Sequence, residues 1–125
     1  MRIGELSRFT GVSARSLRHY EEAGLIRPTR LESGYRDYDE SQVITVGLIK
    51  TLIAAGLPVT LIAEVLPAVP AVGGYGRPTD ALVERLQLIS EDLRGQREAM
   101  SRAILILGGV MARLSSAELD QPPER

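Results

Sequence analysis

The last third of the chain carries apolar residues at intervals of four and three, without a break. The positions in this series, one of them polar, are Leu82, Leu86, Ile89, Leu93, Gln96, Met100, Ala103, Leu107, Val110 and Leu114. A mean repeat of about 3.5 residues sustained over about four heptads is typical of a coiled-coil seam along one long helix. A single helix cannot bury such a seam against itself. The pattern therefore predicts a homodimer, in which the same helix of a second chain covers the seam.

Several residues mark the limits of this dimerisation helix. Thr79 or Asp80 is suited to cap its first turn, and Gln96 is the polar residue of the seam, a type that fixes register. Gly108 and Gly109 each cost about 1 kcal/mol relative to alanine inside a helix, so the regular coil is expected to stop or bend there. We place the helix at residues 79–114 and a flexible tail at residues 115–125.

Four consecutive apolar residues exceed what a two-stranded seam can bury. They are Ile104, Leu105, Ile106 and Leu107, called here the 104–107 patch. Because consecutive residues point to all sides of a helix, part of this patch faces away from the seam. We expect the partner chain's compact domain, a ligand or another protein to cover it.

The N-terminal residues have the spacing of a helix-turn-helix. Residues 3–9 carry apolar side chains at Ile3, Leu6 and Phe9, and the short connection 10–12 contains Gly11. Ser13 is a good N-cap for a second helix, which Gly24 can end in a left-handed conformation. The same pattern also fits a helical corner that is purely structural, so the spacing alone leaves both interpretations open.

The second helix is predicted to have a buried side and a cationic outer side. At 3.6 residues per turn, Leu17 and the ring of Tyr20 fall inward. The outward residues are Arg15, Arg18, His19 and Glu22.

A short hairpin is expected to follow, with strands at residues 27–30 and 35–38 and a turn at 31–34. Alternation puts Tyr35 and Asp37 on one face, and Arg36 and Tyr38 on the other. A hairpin after a helix-turn-helix is a wing, whose Arg36 would be free to contact a phosphate. Tyr38 can either pack beneath the hairpin or direct its hydroxyl to a phosphate.

Two further helices complete the predicted compact domain. Asp39 and Gln42 resemble a capping box for a helix at residues 40–55, which is apolar nearly all round and should lie inside a small core. Pro58 can begin a short helix that ends at Leu66. Residues 67–78 hold three prolines and three glycines and are predicted to be a linker loop. The domain is therefore placed at residues 1–66.

Composition narrows the possible functions. The 125 residues include no cysteine and one histidine, which excludes disulfides and thiolate metal sites and leaves little for catalysis. We expect no enzyme activity, no cofactor and no metal.

The start of the chain lacks an apolar signal core, and no segment looks long enough to span a bilayer, so we expect a soluble cytoplasmic protein without a membrane partner. Residues 1–50 hold eight basic and seven acidic residues, so a DNA-binding face must arise from geometry rather than bulk charge.

Taken together, these motifs resemble the MerR family of bacterial transcriptional regulators. The resemblance covers about residues 1–66 and rests on residues 3–6, 10–13 and 17–28 and on the Gly-Tyr-Arg-Asp-Tyr sequence at 34–38. It implies a mainly α fold, in which a winged helix-turn-helix domain with a small β-hairpin wing precedes a long coiled-coil dimerisation helix. It also implies a homodimer, with an antiparallel coiled coil, that binds a palindromic promoter in double-stranded DNA, distorts it and acts on RNA polymerase. The positions matching the family's DNA contacts are Arg18, His19, Tyr20, Tyr35 and Arg36, with Arg15 a neighbour on the same face.

The resemblance does not extend to the regions where relatives sense effectors. Metal-sensing members carry cysteines at the start of the dimerisation helix and in the loop after it, and this sequence has no cysteine. Multidrug-sensing members carry a sizeable C-terminal domain, for which we expect the eleven residues past Leu114 to be too few. The effector is therefore unknown. A competing hypothesis is a coiled-coil interaction protein that recruits a protein partner through the 104–107 patch.

Overall fold

The computed structural model describes residues 1–74 and 76–119, and it confirms the predicted mainly α fold with a small antiparallel hairpin and a long C-terminal helix. Within those residues the elements are α1 (Ile3–Thr10), α2 (Ala14–Glu22), β1 (Thr29–Arg30), β2 (Arg36–Asp37), α3 (Ser41–Ala54), α4 (Val59–Val65) and α5 (Asp80–Leu119). The chain divides into two compact units, Met1–Thr79 and a second unit that starts at Asp80.

The turn between α1 and α2 is closed by local hydrogen bonds. Gly11 has φ 71°, a left-handed conformation that favours glycine, and its N–H donates to the Ser7 carbonyl at 2.9 Å. The Val12 N–H donates to the Thr10 hydroxyl at 3.2 Å, and that hydroxyl donates to the Leu6 carbonyl at 2.7 Å. These bonds fix the angle between the two helices and confirm the predicted helix-turn-helix.

Helix α2 begins and ends where its sequence indicates. The Ser13 hydroxyl accepts a hydrogen bond from the Ser16 N–H at 3.1 Å, and Gly24 follows the helix with φ 77°. Leu17 and Tyr20 are buried. Phe9, the third apolar residue in the sequence of α1, has a side chain that is 71% exposed. Leu6 and the half-buried Ile3 supply the contacts of α1 with the core instead.

The core of the first unit lies where α1 packs against α2 and α3, and where α3 packs against α4. Its most deeply buried side chains are Leu6, Leu17, Ile26, Tyr38, Val46, Ile49, Leu61 and Ile62. The expectation that α3 is buried on nearly all sides is wrong for one side. Ile44 is 56% exposed and Ile53 is also exposed, because the neighbouring elements of the unit cover only the side that bears Val46 and Ile49.

The start of α3 differs from the predicted capping box. The helix begins at Ser41, with Glu40 at the N-cap and no side-chain capping bond. The Asp39 carboxylate instead accepts from the Ser41 hydroxyl at 2.8 Å, and the Gln42 side-chain carbonyl oxygen is buried with no hydrogen-bond partner. Asp39 therefore stabilises the turn before the helix rather than its free N–H groups.

The segment after α4 is more ordered than a plain loop. It forms two 3₁₀ turns, Leu66–Ala68 and Pro70–Val72, and Val72 packs against the core. The Gly74 N–H donates to the Val69 carbonyl at 2.9 Å, which folds the segment back on itself. Two of its residues, Pro67 and Pro70, suit the start of a 3₁₀ turn because each lacks an N–H. Tyr75, which belongs to the same segment, lies outside the described residues.

Helix α5 is longer and more continuous than expected. It passes through Gly108 and Gly109 without a break and continues to Leu119, past the end predicted at Leu114. The helix-forming residues on both sides of the two glycines offset their cost of about 1 kcal/mol each. Residues 120–125 of the predicted tail lie outside the described part of the chain.

Helix α5 is also the element whose length and composition would allow it to cross a membrane. A window within Asp80–Ser116 reaches a mean hydropathy of 1.2, and none of that window is buried. This differs from the expectation that no such segment exists. The longest stretch of α5 without a charged residue is residues 103–112, between Arg102 and Arg113. At about 1.5 Å per residue it would cover roughly half of a bilayer core about 30 Å thick. The seam therefore accounts for the exposed apolar residues better than a membrane span does.

Candidate nucleic-acid interface

The outer face of α2 presents a cationic surface, as its sequence predicts. Arg15, Arg18 and His19 are exposed, whereas Leu17 lies in the core. A shallow cleft of about 320 Å³ is lined by Arg15, Ser16, His19 and Tyr20. The side chains of Arg15, His19 and Tyr20 therefore share one surface, of the size and charge that a base edge or phosphate can approach.

Tyr20 contributes little to this surface. Its side chain is 8% exposed and packs in the core. Only the small exposed part at the cleft is available for a contact, so its main role in the structure is to anchor α2.

The wing forms with the predicted alternation. Its strands pair Thr29 with Asp37 and Arg30 with Arg36. The Leu31 N–H donates to the Tyr35 carbonyl at 2.9 Å, which extends the ladder to the turn. Tyr35 is exposed on one face of the wing. The next side chain along the strand, Arg36, points towards α2.

Glu21 joins the wing to α2. Its Oε2 lies 3.3 Å from Arg36 Nε in an ion pair, and the Tyr38 hydroxyl donates to the same oxygen at 3.4 Å. Arg36 Nε is buried and not aligned for a hydrogen bond, so the contact is electrostatic. Arg36 was expected to be free for a phosphate, but this pair holds its Nε. Sequence reasoning missed Glu21; its position one turn after Leu17 on the inner side of α2 was the available signal.

Tyr38 packs beneath the hairpin, so the packing alternative is correct. Its side chain is fully buried, with 0% exposure. Burial raises the pKa of the phenol, and the nearby Glu21 carboxylate raises it further, while the cations Arg36 and Arg18 oppose this shift. Glu21 therefore carries two contacts that hold the hairpin against the recognition helix.

The raised pKa predicts a loss of stability at alkaline pH. The phenol in the unfolded chain ionises near its ordinary pKa of 10.0, whereas the folded phenol stays protonated to higher pH. Unfolding then releases a proton, so the stabilisation is complete below pH of about 10 and is lost as the pH rises through the folded pKa.

Tyr38→Phe removes the phenol hydroxyl and therefore this titration, so a comparison of the variant with the wild type isolates its effect. At neutral pH we expect the variant to be about 1 kcal/mol less stable, because the substitution removes the hydroxyl and its hydrogen bond to Glu21. Urea unfolding at a series of pH values should show a smaller alkaline loss of free energy in the variant than in the wild type. Equal losses would contradict this assignment.

The N-terminal residues contact the second strand of the wing, β2, and stabilise it. The Met1 nitrogen lies 2.9 Å from Asp37 Oδ1 and donates to the Tyr38 carbonyl at 2.8 Å. The Tyr38 N–H in turn donates to the Met1 carbonyl at 2.6 Å. The Arg2 guanidinium carbon lies 4.3 Å from the centre of the Tyr35 ring. The N-terminal segment and the wing thus form one surface beside α2.

Potential metal ligands are dispersed in the structure. Within residues 1–74 and 76–119, no three histidine or acidic side chains come close enough together to hold a metal ion. His19 is exposed, with Glu22 at 3.9 Å as its acidic neighbour. This geometry fits a surface contact.

Comparison with curated proteins gives relatives among transcription regulators. The chain is 42% identical over 67 residues to heavy metal-dependent transcription regulator 2 of Rhizobium meliloti (strain 1021), covering 53% of this chain and 46% of that protein. It is 40% identical over 65 residues to the HTH-type transcriptional regulator AdhR of Bacillus subtilis (strain 168), covering 51% and 46%. The chain thus spans about half the length of the curated relatives it matches.

Solved structures share the fold over nearly the whole chain. A MerR family transcriptional regulator from Listeria monocytogenes has a TM-score of 0.68 at 23% identity, covering 95% of this chain and 89% of that one. HiNmlR, a MerR family regulator lacking the sensor domain, solved bound to promoter DNA, has a TM-score of 0.67 at 21% identity, covering 95% and 93%. The family model described as MerR HTH family regulatory protein matches residues 1–69, more than half of the chain. The chain therefore belongs to the MerR family of helix-turn-helix regulatory proteins.

Proposed function

We propose that this protein is a transcriptional regulator that binds a palindromic promoter site as a homodimer and distorts the DNA. The observation that carries the proposal is the exposed cationic face of α2, held to the wing through Glu21, within the segment that matches the family model. A helix and a wing in fixed register suit the major groove and the flanking phosphates.

In this proposal the first unit binds DNA and the second unit forms the dimer. Residues 1–66 bind DNA, with Arg15, Arg18 and His19 directed to the groove, the exposed edge of Tyr20 beside them and Tyr35 on the wing. Residues 67–78 connect the units, and residues 79–114 provide the dimer seam. Arg36 acts mainly by holding the wing to Glu21, and its other N–H groups remain available because the side chain is 37% exposed.

Dimerisation rests on the exposure of the apolar side of α5. Met100, Leu107, Val110 and Leu114 of the seam are all exposed in the single chain, although each is a large apolar residue. Gln96 bonds to Asp92 of its own helix at 2.9 Å, so it can remain satisfied beside a partner helix. A second α5 would cover the seam, in the antiparallel arrangement that the family resemblance implies.

DNA distortion follows from a dimer of fixed geometry. Two recognition helices on straight B-DNA must be about 34 Å apart, or a multiple of that distance. A coiled coil that sets another separation requires the DNA to bend, at a cost of order 1 to 6 kcal/mol. RNA polymerase is then the expected recipient of the change in promoter shape, in the cytoplasm.

The alternative of a pure interaction protein is not favoured. It would explain the exposed 104–107 patch, in which Leu105 is 75% exposed. It does not explain the cationic face of α2 or the match to the family model. The patch is better treated as part of the surface that a second chain covers. Because the sequence holds no cysteine, the metal dependence in the name of the Rhizobium relative is not extended to this protein.

A circular-permutation gel shift tests the proposal directly. The DNA is the region upstream of the protein's own gene, first footprinted to locate the site. We expect a complex that resists excess random DNA and whose mobility depends on the position of the site in the fragment. Failure to bind that region and any site selected from random duplexes would contradict DNA recognition, and position-independent mobility would contradict bending.

A further inference from the structure

A second cationic cleft lies between the N-terminal segment and the wing. It has a volume of about 400 Å³ and is lined by Arg2, Ile3, Arg30, Gly34, Tyr35 and Arg36. Three arginines therefore border one small space on the wing. Such a concentration of guanidinium groups fits an anion, and it is distinct from the cleft on α2.

The three arginines differ in whether an acidic side chain already neutralises their positive charge. Arg36 is paired with Glu21, and the nearby Asp37 is paired with the Met1 nitrogen. Among the residues that the structure describes, neither Arg2 nor Arg30 forms an ion pair with an acidic side chain. Both are exposed. The unneutralised positive charge of the cleft therefore comes from Arg2 and Arg30.

Arg2 is also held in place. Its guanidinium stacks over the Tyr35 ring at 4.3 Å, a distance typical of a cation–π contact. Stacking covers the flat face of a guanidinium but leaves its in-plane N–H groups available, and these match the geometry of phosphate oxygens. Arg30 is fixed differently, because its backbone pairs with Arg36 in the hairpin.

We propose that Arg2 and Arg30 bind a phosphate of the DNA backbone in this cleft, with Tyr35 positioning Arg2 and Arg36 holding the wing on α2. The proposal rests on the proposed DNA binding and assigns its phosphate contacts. Because the ligand is a phosphate group, these contacts add affinity for any duplex without reading sequence.

The test compares the salt dependence of DNA affinity in two double variants. Arg2→Ala/Arg30→Ala removes the cleft's unpaired charge, and Arg94→Ala/Arg102→Ala removes two exposed charges from the side of α5 away from the seam. Each neutralised phosphate contributes about 0.9 to the slope of log affinity against log salt. A homodimer that loses one phosphate contact per protomer should therefore lose about 2 from the slope.

We expect that loss in the cleft variant only, with operator and random duplex weakened by the same factor. Tyr35→Leu should lower the slope more than Tyr35→Phe, because only phenylalanine keeps a ring that can position Arg2. Thermal unfolding of each variant verifies that the wing unit is folded.

Two results would overturn the phosphate assignment while leaving DNA binding intact. One is an unchanged slope in folded Arg2→Ala/Arg30→Ala protein; the other is an equal loss in the α5 control. A wild-type protein with no sequence-specific complex would instead overturn the proposed function. The two failures are thus distinguishable from one set of titrations.

Discussion

Leu93→Glu should convert the protein to monomers and abolish operator binding. Leu93 lies near the middle of the seam, so the substitution removes an apolar contact from each chain and places two carboxylates in the interface. Losing a buried leucine costs about 2 kcal/mol or more per chain, and the desolvated carboxylates add to that cost. Each half-site alone then offers too few contacts for stable binding, because dimerisation is what joins them.

Leu88→Glu is the matched control for this experiment. Leu88 is 68% exposed and lies outside the series of seam positions, so the same substitution there should leave the dimer intact. Sedimentation of both variants and the wild type at micromolar concentration gives the oligomeric state, and gel shifts give operator affinity. A wild-type monomer, or a Leu93→Glu dimer that still binds its operator, would contradict the seam.

The elements that the sequence predicted well are those specified by local chemistry. The Ser13 cap and the left-handed Gly24 lie at the two ends of α2, as the sequence predicted. The wing is similarly local, since a glycine-containing turn joins two short β-forming runs, and its alternation places Tyr38 inward. Such features depend on neighbours in sequence and can be read without the fold.

The features that were missed depend on residues distant in sequence. Nothing in the local sequence distinguishes Glu21 from other acidic residues on a helix. Its partner Arg36 comes to within 3.3 Å only because the wing packs against α2. The exposure of Phe9 and Ile44 shows the same limit, because periodicity identifies apolar positions but not the sides of a helix that neighbours cover. The Asp39 capping prediction failed for a different reason. The Asp39 carboxylate accepts a hydrogen bond from the Ser41 hydroxyl, a donor that the capping-box pattern does not consider.

The same distinction applies to the proposed DNA-binding surface. Arg15, Arg18 and His19 could be assigned to one face from helical period alone, and the structure exposes all three. Arg2 could not, because it lies outside the helices and meets Tyr35 only in the folded unit. The proposed division between base-reading and phosphate-binding arginines therefore requires the tertiary structure, and substitution of one residue of each kind can test it.

Arg18→Ala should remove most of the discrimination between operator and random DNA. Arg18 is exposed on the outer face of α2, together with Arg15 and His19. A bidentate arginine–guanine contact contributes about 1 to 3 kcal/mol of discrimination per half-site, and a dimer makes it twice. We therefore expect operator affinity to fall by far more than random-DNA affinity, whereas Arg36→Ala should weaken both together by releasing the wing from Glu21.

Competition titrations with operator and random duplexes at one fixed salt concentration measure this ratio. Arg102→Ala is the control for loss of a positive charge, because Arg102 is exposed on α5 away from the seam. The urea midpoint of Arg18→Ala should match that of the wild type, since an exposed side chain contributes little to the core. If the operator-to-random ratio of the folded variant stays within a factor of about two of the wild type, base recognition must be assigned to Arg15 or His19 instead. Those two residues share the adjacent cleft on α2 and are the only other exposed basic side chains that the structure describes on that helix.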